Sequence, residues 1–119
     1  MNAIIYAGLP EKEKHYVKFG VSVSSPKDIL DVCCEVLSQK REDVISKSRK
    51  RPIVECRQIA MGLIRLNSSL ALTKIGAMFN RDHSTVIYAC ETFNDLYGRD
   101  KKFTKYVDAV KMKTNNLGL

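Results

Sequence analysis

Five consecutive polar side chains, Arg81, Asp82, His83, Ser84 and Thr85, stand at the head of an apolar stripe. In that stripe Val86, Ala89, Cys90, Phe93, Leu96 and Tyr97 recur at helical spacing. The polar residues are of types that meet the edges of base pairs. Aspartate accepts from the cytosine amino group, serine and threonine bond base edges or phosphate, and a threonine methyl fits a thymine methyl. Histidine donates to a purine acceptor or to a phosphate. A helix whose apolar face begins one turn in can keep its body in a core and push its polar tip into a DNA major groove, as the second helix of a helix-turn-helix does. The same residues also suit plain capping, because Asp or Ser at a helix start satisfies free amides and a carboxylate complements the positive end of the dipole. The two roles are compatible, and Asp82 is expected to serve both. Tyr88 and Thr92 continue the exposed face, where solvent is at least as good a reading as DNA.

Other elements must hold that tip in place. Ser25-Pro26 is a strong helix start, with Ser at the cap and Pro in the first turn, and Ile29, Leu30, Cys33, Val36 and Leu37 continue it as an apolar stripe. A short helical turn is predicted around Glu42 to Ser46, with Val44 and Ile45 inward, followed by an exposed basic loop from Lys47 to Pro52. A helix from about Ile53 to Leu66 buries Ile59, Ala60, Leu63 and Ile64. Leu72 to Phe79 is the first helix of the helix-turn-helix, with Ile75, Met78 and Phe79 as core, and Gly76 permits close packing. The reading helix runs from about Asp82 to Tyr97, where Gly98 can end it, and Asp100 starts a last helix with Phe103, Tyr106, Val107 and Val110 on its stripe. The fold class is therefore all-α, a helix-turn-helix bundle. Met1 to Ser24 do not fit this pattern. Val17, Phe19, Val21 and Val23 alternate with polar or small residues in a strand-like way, and the segment is expected to form an extended or partly disordered N-terminal arm. The expected divisions are an arm at 1–24, one domain at 25–114 and a C-terminal tail at 115–119.

Twenty Lys and Arg against thirteen Asp and Glu give a formal charge of +7 over 119 residues, which favours a polyanionic partner. The charge is concentrated. Lys47, Arg49, Lys50, Arg51, Arg57 and Arg65 fall within one short stretch against a single acid, Glu55, a better match to a phosphate-binding footprint than to an ordinary solvated face. Cys33, Cys34, Cys56 and Cys90 form no C-x-x-C pair, and with only two histidines a metal site is not expected; the cysteines are read as reduced, small apolar residues. The chain has no G-x-x-x-x-G-K-[ST] loop. Asp82, His83 and Ser84 cannot converge as a triad from one helical turn. No catalytic residue, cofactor or small-molecule substrate is expected. The start MNAIIYAGLPEKEK lacks the features of a signal peptide and no run reaches membrane-spanning length, so a cytoplasmic location without membrane contact is expected.

The run RDHSTVIYACETF resembles the signature of the C-terminal DNA-binding domain, domain IV, of the bacterial DnaA replication initiators, R-D-H-T-T-V-x-H-A-C/H-x-x-I. Arg57-Gln58-Ile59-Ala60-Met61 matches that family's R-Q-[IM]-A-M, Ile75-Gly76-x-x-Phe79 its I-G-x-x-F, and Ser46-Lys47-x-Arg49-x-Arg51 its basic loop. The resemblance covers about Ser25 to Lys113 and implies a Trp-repressor-like arrangement of the helices. It also implies that Arg49 enters the minor groove beside the major-groove site, a use for which arginine is well suited where A·T-rich sequence narrows that groove. The DNA-binding residues so nominated are Lys47, Arg49, Lys50, Arg51, Arg57, Gln58, Leu72, Lys74, Arg81, Asp82, His83, Ser84 and Thr85. The expected partner is double-stranded DNA carrying a DnaA-box-like site, bound by a monomer, in replication initiation or its regulation. The alternative is a stand-alone transcription-regulatory or protein-interaction module of a phage or mobile element. Four positions depart from the family pattern. Asn80 alone spans the turn where two residues, often Gly-Gly, are usual, Glu55 replaces a non-acidic residue, Tyr88 replaces a frequent His, and Ala71 replaces a Ser or Thr cap.

Overall fold

The computed structural model describes residues 25–117, and within them it contains α-helices and no strand. The helices are α1 (Pro26–Leu37), α2 (Arg41–Val44), α3 (Arg51–Asn67), α4 (Leu72–Met78), α5 (His83–Leu96) and α6 (Lys101–Leu117). The arm expected at residues 1–24 lies outside the described residues. Ser25 caps α1 as its sequence implies, its hydroxyl accepting from the Asp28 amide at 3.1 Å. Asp100 caps α6 in the same way, accepting from the Phe103 amide at 2.8 Å. α6 runs on to Leu117, into the segment read from sequence as a tail.

α3 is the central element, packed against α1 on one side and α5 on the other, while α6 closes over α1 and α4 packs on α5. Ile53, Cys56, Ile59, Ala60, Leu63 and Ile64 are buried along α3, as a 3.6-residue stripe requires, and Met61, Gly62 and Leu66 widen the buried face. Phe93 of α5 sits at the centre of the contact. Its ring stacks on Tyr97 at 5.8 Å between centroids and meets the edge of Phe103 at 5.7 Å. Gly62 makes room for it, since a Cβ there would lie 2.6 Å from the Phe93 ring.

Two of the boundaries that differ from the sequence reading bear on the basic loop and on the polar tip. Arg51 and Pro52 belong to α3 and not to the loop, because Pro needs no amide partner in a first turn and its fixed φ suits a helix start. The exposed basic loop is thus Lys47 to Lys50. Asp82 is the cap of α5 and not its first helical residue. The four cysteines are buried and free. Burial pushes the Cys33 thiol up, and a hydrogen bond with Cys34 together with burial does the same for Cys56.

The turn between α4 and α5 closes as a Schellman motif. The Arg81 amide donates to the Gly76 carbonyl at 2.8 Å and the Asn80 amide to the Ala77 carbonyl at 3.3 Å. Asn80 holds the left-handed position, with φ 57°, the conformation that this residue tolerates better than other side chains do. Gly76 is needed where the chain folds back, because a Cβ on it would lie 2.4 Å from the Arg81 carbonyl oxygen, a backbone atom that cannot swing aside. Gly76→Ala should therefore lower stability by about 1–3 kcal/mol, the usual cost of overpacking. Urea denaturation reads this directly, and an unchanged midpoint would show that the turn can open without loss.

Candidate nucleic-acid interface

The polar tip of α5 is built on one carboxylate oxygen. Asp82 Oδ1 accepts from the Thr85 amide at 3.1 Å, from the Ser84 hydroxyl at 2.8 Å and from the Thr85 hydroxyl at 3.2 Å. This places Ser84 and Thr85 in fixed orientations at the helix end. The Ser84 hydroxyl and the Thr85 amide are the chief causes holding the Asp82 carboxyl below its ordinary range. His83 and Ser84 are exposed, Thr85 is half-buried, and the next residue, Val86, is in the core.

The basic loop is held from inside. The Ser46 hydroxyl donates to the Asp43 carbonyl at 2.6 Å, the Ser48 amide to Ser46 Oγ at 3.1 Å and the Lys50 amide to Ser48 Oγ at 3.2 Å. These short serine turns give the loop its shape without a helix or strand. Beneath them lies Arg57, only 6 % exposed. Its Nε donates to the Val44 carbonyl at 2.8 Å, and its Nη2 to the carbonyls of Ser46 at 3.0 Å and Ser48 at 3.2 Å. Arg81 Nη2 reaches the same Ser46 carbonyl at 2.8 Å from the helix-turn-helix turn. Burial and the neighbouring Arg81 both lower the Arg57 pKa from its usual value.

Arg57 therefore departs from the sequence expectation of a residue reaching out to DNA from a helix start. It lies within the second turn of α3 and serves chiefly as a strut under the loop. Its place in the sequence carried the signal. Position 57 falls on the stripe of Ile53, Cys56, Ala60 and Ile64, where a long cation is buried and must find acceptors. Arg65, counted with the same basic stretch, sits near the opposite end of α3 and donates to the Leu70 carbonyl at 3.2 Å.

The loop and the tip face one open groove of about 620 Å³, lined by Lys47, Ser48, Arg49, Arg57, Asn80, Arg81, Asp82, Thr85 and Tyr88. Six of the nominated residues thus come together: Lys47, Arg49, Arg57, Arg81, Asp82 and Thr85. Lys50 and Arg51 are exposed at the loop's end, and His83 and Ser84 at the helix tip. Gln58 lines a second depression, with Arg49, Arg51 and Glu55. Glu55 lies 4.0 Å from the Lys102 ammonium, so the acid that departs from the family pattern turns toward α6. Lys74 is exposed on α4, while Leu72 packs against the core and Ala71 provides no side-chain cap. Asn80 and Tyr88 were not nominated as binding residues, yet both line the groove. Among the described residues no group of His, Cys, Asp and Glu could hold a metal ion, and no helix is long and apolar enough to cross a membrane.

Two helices joined by a tight turn, with the second presenting a polar tip beside a basic loop, make this a helix-turn-helix protein of the bundle type. Residues 26–92 match the family described as the bacterial DnaA protein helix-turn-helix, and the chain belongs to that family. It is 38 % identical over 103 residues to the chromosomal replication initiator protein DnaA of Synechococcus sp., covering 78 % of this chain and 22 % of that protein. Against the protein of the same name from Picosynechococcus sp. it is 34 % identical over 94 residues, covering 78 % and 21 %. Against that of Flavobacterium psychrophilum it is 42 % identical over 69 residues, covering 57 % and 14 %. The chain thus spans about a fifth of the length of the first two relatives.

Two outcomes follow from this geometry. Arg57→Met keeps much of the side chain's length but leaves the Val44 and Ser48 carbonyls without their side-chain donor and Ser46 with Arg81 alone, and should lower stability by about 1–3 kcal/mol. An unchanged urea midpoint would mean that the serine turns hold the loop unaided. The Asp82 carboxyl lies below its unfolded value, so its cap stabilises the fold above the ordinary carboxylate range and loses this effect as pH falls through the depressed pKa. Asp82→Ala should flatten the acid limb of stability against pH, and superimposable limbs for the two proteins would contradict this.

Proposed function

We propose that this domain binds double-stranded DNA in a sequence-dependent way, recognising a DnaA-box-like site in replication initiation or its regulation. The observation that carries the reading is the convergence of the basic loop and the α5 tip on one groove, joined through the Ser46 carbonyl. Four of the side chains lining that groove are cations, Lys47, Arg49, Arg57 and Arg81, against the single carboxylate of Asp82. Such a surface draws a polyanion, and the neighbouring tip carries the groups that can tell one base pair from another.

The roles divide by chemistry. His83, Ser84 and Thr85 are proposed to face base edges in the major groove, with Asp82 holding them in place and available to a cytosine amino group. Arg49, exposed at the loop, is proposed to enter the adjacent minor groove. Lys47, Lys50, Arg51, Gln58, Lys74 and Arg81 are proposed to meet phosphates, with the opening of α4 at Leu72 close to the backbone. Arg57 is proposed to contribute charge from below. One copy of the domain suffices for one asymmetric site.

On a preferred duplex, His83→Ala or Thr85→Ala should cost on the order of 1–3 kcal/mol, with little change on random DNA. Equal weakening on both would remove these residues from base reading. Lys47→Ala and Lys50→Ala should weaken every duplex alike and shallow the salt dependence by about one unit of slope each. The single-residue turn at Asn80 sets the entry of α5, whereas the loop does not pass through it. The preferred sequence is therefore expected to drift from a TTATCCACA-like box while loop contacts persist. Binding-site selection from a random pool reads this out, and recovery of an unaltered box would show that the short turn leaves the reading helix in its usual position.

A further inference from the structure

Tyr88 is 64 % exposed, and among the described large hydrophobic residues only Met112 is comparably open. Its position is not arbitrary. Tyr88 lines the same groove as Lys47, Arg49, Arg57 and Arg81, and its hydroxyl has no hydrogen-bond partner among the described residues. An aromatic ring left in water on a helix surface gains nothing from burial, and the amphipathic phenol is a type enriched where one molecule meets another.

Helix geometry says what it would meet. Tyr88 lies one turn beyond Ser84, about 6 Å further along the axis from the polar tip. A reading helix enters the groove tip first, so a residue one turn behind rises toward the wall, where the sugar-phosphate backbone runs. The groove's charge agrees. Four cations face one carboxylate, and one oxygen of that carboxylate already takes three hydrogen bonds. The group suited to this space is a phosphodiester, and an unpartnered phenolic hydroxyl is a good donor to its oxygen.

We infer that Tyr88 is a phosphate contact of the bound duplex, donating its hydroxyl to a backbone oxygen at the rim of the groove while the α5 tip faces the bases. The inference rests on the DNA-binding reading and adds to it a neutral contact at a position where the family frequently has histidine.

The test compares wild type, Tyr88→Phe and Tyr88→Ala by fluorescence anisotropy. The probes are a duplex containing TTATCCACA and a scrambled duplex, each over a series of salt concentrations. Tyr88→Phe should bind both duplexes more weakly, on the order of tenfold, since a hydrogen bond to a charged group is lost. The slope of affinity against salt should not change, because no charge is removed. In a scan of single methylphosphonates, one neutral linkage should weaken wild type and leave Tyr88→Phe unaffected. Normal wild-type binding with an indifferent Tyr88→Phe overturns the assignment alone. Loss confined to Tyr88→Ala, with Tyr88→Phe binding as wild type does, also overturns it, in favour of a contact made by the ring. A wild-type protein that binds neither duplex overturns the DNA-binding reading itself, and the phosphate contact with it.

Discussion

The carbonyl oxygen of Ser46 accepts from two guanidinium groups that arrive from different parts of the chain, Arg57 at 3.0 Å and Arg81 at 2.8 Å. A single peptide dipole can orient two cations but cannot neutralise them. No ion pair with an acid is formed by either arginine among the described residues. The arrangement therefore fixes positive charge in place at the floor and side of the groove. It also fastens the basic loop to the helix-turn-helix turn, so that movement of one must disturb the other. Burial of Arg57 next to Arg81 is unfavourable on its own, as the lowered pKa of Arg57 reflects, and an anion in the groove would relieve that repulsion. Stability and proposed function meet in this bond pair: the same guanidinium groups that shape the loop create the potential that would attract DNA.

The rest of the bundle sustains that geometry. α3 carries Arg57 on its buried stripe, so the strut is positioned by the packing of Ile53, Cys56 and Ala60 around it. α5 is held against α3 through Phe93, seated over Gly62, and its body cannot slide without losing the Phe93–Phe103 contact. The Schellman turn at Asn80 then sets where Arg81 leaves the backbone and where Asp82 caps α5. Tip, turn and loop are consequently one surface supported by one core.

Much of this was legible in the chain. Ser25-Pro26, Asp100 and Gly98 mark helix ends by local chemistry, and the apolar stripes of α1, α3, α5 and α6 follow from period alone. The polar tip was visible because its residues interrupt such a stripe at the first turn. Gly76 was expected to allow close packing, and the close approach is to the Arg81 carbonyl. What the sequence concealed were long-range backbone acceptors. Arg57 reads as a DNA contact and Arg81 as part of the polar tip, and nothing in a linear pattern reveals that the carbonyls of Val44, Ser46 and Ser48 turn inward to meet them. Arg65 was grouped with its neighbours by proximity in sequence, although a helix of this length carries it to the far end of the domain. Tyr88 and Asn80 became part of the groove only once the loop and α5 were placed side by side.

The claim on which the proposed function depends is that the basic loop and the α5 tip engage one duplex as a single unit. An amide-resolved NMR titration of the domain with a preferred duplex measures this most directly. Shifts should gather at Ser46 to Arg51 and at Asn80 to Tyr88, and both groups should saturate along one binding curve. Curves of clearly different affinity for the two groups, or shifts gathered instead on the acidic face of α1 around Asp28, Asp31 and Glu35, would contradict it.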